Sequence, residues 1–123
     1  RQKFPPSLPA SCKRLTRTKI HTALCDVPGM VAGYDSGTSA INLAYQFGAT
    51  EIVVLGMDMI GGRWFKGEWE HPRWTIPEDH FRTHMSNLPS FAADAKAKGI
   101  RIVNVSPVSR ITCFERQPLE MFL

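Results

Sequence analysis

Long apolar runs are missing from this chain. The longest, Ile52 to Leu55, falls far short of the roughly 20 residues of a membrane span, and the basic start has no apolar stretch of the kind a signal peptide needs. The expectation is therefore a cytoplasmic protein without a membrane span. Cysteine is also scarce. Cys12, Cys25 and Cys113 are odd in number, form no CxxC pair and stand in no zinc-ligand pattern, which argues against a disulfide framework and for reduced thiols. Cys113 reads as a packed thiol rather than a nucleophile. Neither a Walker motif nor GxGxxG occurs, so no standard phosphate-binding fingerprint is present.

Strong charge is lacking too. A formal charge of +4 over 123 residues is mild, and the basic residues among the first twenty are interrupted by Pro5, Pro6 and Pro9. Such a segment reads as a solvated arm rather than a nucleic-acid site. The opening "RQKFPPSLPASCKRL" has no initiator Met and fits a processed chain or one that lacks an upstream half. The expected layout is an arm over residues 1–17 and one α/β domain over residues 18–123.

What is present is a succession of α/β signals. Thr18 to Leu24 is weakly strand-like, Pro28–Gly29 is a turn, and Met30 to Ala32 a short apolar strand. Ser36 is read as capping a helix whose apolar positions Ala40, Leu43, Ala44 and Phe47 follow the 3.6-residue period, with Gly48 as its stop. "EIVVLG" from Glu51 is a β-branched run expected to be buried on both faces, as in a parallel sheet. A second helix is predicted from about Glu78 to Lys98 on Phe81, Met85, Leu88, Ala92 and Ala95, kinked or divided after Asn87 by Pro89 and stopped by Gly99 before "IRIVNV". Between the two units lies a long loop with Trp64, Trp69 and Trp74, expected to serve as a lid or binding loop.

Ligands of open α/β sheets bind outside the carboxyl ends of the strands. "GYDSGTS", "GMDMIGG" and "SPVSR" are the loops at those ends, expected to open on one edge. Ser36, Gly37 and Thr38 at a helix start suit a phosphate, and a plain N-cap at Ser36 or Asp35 explains them equally. Asp58 suits a ribose hydroxyl, a metal ion or its own loop amides. With Asp35 it offers two carboxylates to Mg or Mn, without a third ligand in sight. His71, His80 and His84 are the bases available near pH 7. His80 and His84, four apart, also have a metal-ligand spacing, and a solvated helix face explains them as well; His21 reads as structural. Ser106, Ser109 and Arg110 suit contacts to a nucleotide or acidic sugar, or N-caps of a short final helix.

The ordered set "SGTSAINLAYQFGATEIVVLGMDM", a His-containing loop, a helix and "IRIVNVSPVS" resembles the bacterial sialyltransferase family that uses CMP-sialic acid, with related phage-encoded proteins and Rossmann-like glycosyltransferases. The resemblance spans about Val31 to Phe114. It implies a three-layer Rossmann-like parallel sheet with flanking helices, here only part of the full family domain. It also implies a nucleotide pocket on Asp35, Ser36, Gly37, Thr38, Gly56, Met57 and Asp58, a contribution from Ser106, Pro107 and Ser109, and a catalytic base at His71 or alternatively His80. The partners implied are a CMP-sugar-type donor and a hydroxyl acceptor, with no cofactor required. The family places tyrosines after its G-x-D strand, and this chain has Ile60 and Gly61 there. The alternative expectation is a non-catalytic binding or assembly module, homo-oligomeric through its tryptophan loop.

Overall fold

The computed structural model describes residues 9–63 and 75–123. Strands β1 (Thr16–Arg17) and β2 (Met30–Val31) lead to helix α1 (Ser36–Gln46) and strand β3 (Glu51–Val54). A short pair, β4 (Gly62–Arg63) and β5 (Thr75–Ile76), precedes a 3-10 turn at Glu78–Phe81 and helix α2 (Arg82–Ala97). Strands β6 (Arg101–Asn104) and β7 (Glu115–Arg116) and a 3-10 turn at Leu119–Phe122 complete the order. The fold is α/β. Strands β3, β6 and β7 form a parallel sheet in that order, with Ile52 opposite Ile102 and Val103 opposite Glu115. β1 pairs with β2 in parallel, and β4 with β5 antiparallel.

The core lies between α2 and the parallel sheet. Leu88, Phe91 and Ala95 of α2 meet Ile41 of α1, Ile52 of β3, Ile102 of β6, and Ile111 and Phe114 beyond it. Burying an aliphatic or aromatic side chain of this size contributes about 1.5–3 kcal/mol. Cys113 packs against the same cluster, and burial pushes its thiol pKa up, as suits an inert packed thiol.

Several elements differ from expectation. No strand forms over 18–24, and the first pairing falls earlier, at Thr16–Arg17. The backbone there is bonded piecemeal: the Thr18 amide donates to the Val31 carbonyl at 2.9 Å, the Leu24 amide to Asp94 Oδ2 at 2.8 Å and, just beyond, the Cys25 amide to Asn42 Oδ1 at 2.7 Å. Asp35, not Ser36, caps α1. Its Oδ1 accepts from the Thr38 amide at 3.0 Å while the Thr38 hydroxyl accepts from the Asp35 amide at 3.3 Å, a reciprocal capping box.

The buried face of α1 is also rotated. Thr38, Ile41 and Asn42 are inside, whereas Phe47 is 82% exposed and Ala40 faces outward. The reason is polar. Asn42 Oδ1 takes the amides of Cys25 and Ala32 (2.7 and 3.0 Å), and its Nδ2 donates to the Cys25 carbonyl at 3.1 Å. Gln46 Nε2 adds bonds to the carbonyls of Cys25 and Met30 at 2.8 and 2.6 Å. The helix thus turns an amide-bearing face onto β2 and the irregular chain on either side of it, satisfying backbone groups there.

Strand β3 is buried on one face only: Ile52 is inside, and Val53 on the opposite face is 40% exposed. β6, between two strands, is covered at Ile102, Val103 and Asn104. Helix α2 is not divided after Asn87 but runs through Pro89. A proline inside a helix costs about 3 kcal/mol, and buried Leu88, Phe91 and Ala95 on either side offset it. Both helices end as the glycines imply, with Gly48 at φ 91° and Gly99 at φ 76°.

Candidate functional site

The turn into α1 and the turn out of β3 meet. Gly33 holds the first in shape at φ 115°, where an added Cβ would lie 2.6 Å from Thr38 Oγ1 and 2.7 Å from the Ser39 amide nitrogen. Gly37 touches the second: a Cβ there would lie 3.2 Å from Met57 Sδ and 3.0 Å from Asp35 Oδ1. Gly56 at φ 75° starts the second turn, and Met59 continues it at φ 56°. A left-handed methionine is strained by roughly 1–2 kcal/mol, and its buried side chain in the core holds it there.

A cleft of about 830 Å³ lies between these turns. Asp35, Ser36, Gly37 and Ile41 of the α1 side, Ile52 to Leu55 of β3, Gly56, Met57 and Asp58 beyond it, and Phe81 form its wall. Six of the expected pocket residues therefore share one cleft. Thr38 does not line it: the residue is buried and its hydroxyl bonds Asp35 Oδ2 at 3.0 Å. Among the described residues, the charged side chains of the wall are the two carboxylates, Asp35 and Asp58. One carboxylate oxygen of Asp58, Oδ1, is buried without a hydrogen-bond partner.

The third loop stands behind the second rather than on the cleft. Ser106 Oγ accepts from the Gly56 amide at 2.7 Å, and Ser109 Oγ donates to the Met57 carbonyl at 2.8 Å. Asn104 Nδ2 donates to Ser109 Oγ at 2.9 Å, Asn104 Oδ1 accepts from the Ser106 amide at 3.0 Å, and the Arg110 amide donates to the Asp58 carbonyl at 2.9 Å. Ser106 and Ser109, both buried, thus fasten the turn that carries Gly56, Met57 and Asp58. Neither caps a helix, since the final 3-10 turn starts only at Leu119.

His71 and the three tryptophans lie outside the described residues. His80 is exposed on the 3-10 turn, its ring 5.1 Å from Phe81, which lines the cleft, and 5.3 Å from His84. His84 Nδ1 sits 3.2 Å from the His80 carbonyl and donates to it. Tyr34 stands edge-on to His84 at 4.8 Å and to His21 at 5.2 Å, an aromatic row beside the Asp35 turn. Periodicity gives no signal for this row, because three segments far apart in sequence build it. Among the described residues, no three His, Cys, Asp or Glu side chains gather as a metal site.

No protein-family model matches this chain, and no characterised protein or solved structure matches it significantly.

Proposed function

We propose that the chain is a glycosyltransferase-like protein that binds a nucleotide sugar of the CMP-sugar type in this cleft, on part of a three-layer Rossmann-like domain. The observation that carries the reading is the meeting of the Asp35–Gly37 and Gly56–Asp58 turns at the carboxyl end of a parallel strand, around a volume in the range of small-ligand sites. Asp58 accepts a hydrogen bond from the ligand, and Ser106 and Ser109 hold the turn that presents it.

His80, beside Phe81 at the cleft, serves as general base. It takes the proton of the acceptor hydroxyl as that oxygen bonds to the anomeric carbon, while the bond from that carbon to the donor phosphate oxygen breaks and the nucleotide leaves as an anion. The test is a thermal-shift titration against CMP, UMP, CDP, UDP and CMP-sialic acid, with and without magnesium or manganese. A saturable rise in Tm with a cytidine nucleotide is expected, and a flat response from the folded protein would sink the reading.

A second groove of about 530 Å³, lined by Leu55, Val105, Pro107, Pro118 and Leu119 among others, favours the alternative of a non-catalytic binding module. That alternative predicts concentration-dependent self-association in sedimentation velocity, weakened by Leu55→Glu. Monomeric behaviour at all concentrations counts against it.

A further inference from the structure

We infer that the described wall of the cleft is a nucleoside site: it takes the base and ribose of a nucleotide ligand and leaves the phosphate outside. The inference rests on the nucleotide reading above and narrows it.

The first ground is the free edge of β3. The carbonyls of Thr50 and Val54 accept from the Arg101 and Val105 amides at 2.9 and 3.0 Å, and the Gly56 amide is bound by Ser106. Alternation along a parallel strand then turns the amides and carbonyls of Val53 and Leu55 the other way, towards the cleft that both residues line. β3 has no second strand neighbour among the described residues, and Val53 and Leu55 are 40% and 65% exposed. Two such residues, roughly 7 Å apart along the strand, offer alternating acceptors and donors in one line. That is what the edge of a planar heteroaromatic base reads.

The flanks suit a ring as well. Ile41, Met57, Met59 and Phe81 line the same cleft and give apolar and aromatic surface for its faces. Asp58 lines the cleft beyond this edge, and its carboxylate is an acceptor for an exocyclic amine or a ribose hydroxyl.

The second ground is charge. The N-terminus of α1, where an anion would otherwise bind, already holds the Asp35 carboxylate. Its Oδ1 accepts from the Thr38 amide at 3.0 Å, and the Asp35 carbonyl accepts from the Ser39 amide at 3.1 Å. A phosphate at Ser36 and Gly37 would meet this carboxylate, with Met57 Sδ close against Gly37. No Lys, Arg or His side chain among the described residues lines the cleft to offset the two carboxylates. Uncharged donors are favoured there and phosphate oxygens are repelled.

The test is calorimetric titration of the whole chain with cytidine, uridine, CMP, orthophosphate and pyrophosphate, without divalent metal. Cytidine should bind within about threefold of CMP, and neither phosphate should bind or compete with cytidine; Asp58→Asn should weaken cytidine about tenfold or more. CMP binding more than about tenfold tighter than cytidine, with pyrophosphate as a competitor, would overturn the inference and leave the nucleotide cleft standing. Absence of both nucleoside and nucleotide binding would overturn both. Unchanged cytidine affinity in a folded Asp58→Asn variant would remove Asp58 from the site and overturn the inference as stated.

Discussion

The hydroxyl of Ser106 accepts the amide of Gly56 at 2.7 Å across the ends of two parallel strands. Through it and its neighbour Ser109, the loop after β6 sets the position of the loop after β3, and so of Asp58. Ser109→Ala removes the partner of the Met57 carbonyl, the Ile111 amide and Asn104 Nδ2 together. Leaving buried polar groups unpaired costs about 1–3 kcal/mol each where water cannot replace the bond. The expected result is a lower Tm together with weaker nucleotide binding. A variant that loses stability and keeps wild-type affinity would separate the serine from the cleft.

Asn42 is fully buried and satisfies the amides of Cys25 and Ala32 and the carbonyl of Cys25, on either side of β2. Asn42→Leu should therefore destabilise by roughly 3 kcal/mol or more, despite making α1 more apolar. Urea unfolding monitored by circular dichroism measures it; an unchanged midpoint would contradict the role given to the amide.

Asp35→Ala should cost about 1 kcal/mol through loss of the cap, read as a fall in Tm. The same change frees the Thr38 amide and removes a negative charge from the start of α1, so phosphate or sulfate should stabilise the variant more than the wild type. Equal response of the two proteins to phosphate would show that Asp35 does not guard this helix end.

Arg101 grips Glu115 through two nitrogens, at 2.8 and 2.6 Å, and also pairs with Glu51. The guanidinium holds the Glu115 carboxyl down at about 2, below its ordinary 4.5. A folded-state value below the unfolded one means that the stabilisation is full above about 4.5 and is lost as pH falls through about 2. Both partners are exposed, so the effect is small and screened by salt. Glu115→Gln should flatten the acid limb of a Tm-against-pH curve between those values, with little change at pH 7. An identical acid limb in the variant would refute the linkage.

Local chemistry settled a good deal of this molecule. The α/β class, the helix stops at Gly48 and Gly99, and the strands at Met30, Glu51 and Arg101 are legible because periodicity, β-branching and glycine conformation act over a few neighbouring residues. The turns at Asp35–Gly37 and Gly56–Asp58 are legible as turns for the same reason. Tertiary structure alone decided which face of α1 is buried, since the partners of Asn42 and Gln46 lie 10 to 21 residues away and no helical period encodes them. It also decided that α2 passes through Pro89, because core burial on both sides offsets the lost backbone bond. It made Ser106 and Ser109 fasteners rather than cleft lining, and among the described residues it left the β3 edge open along the cleft. These outcomes depend on which strand lies beside which, and hydrogen bonds made across about fifty residues leave no periodic trace in the chain that makes them.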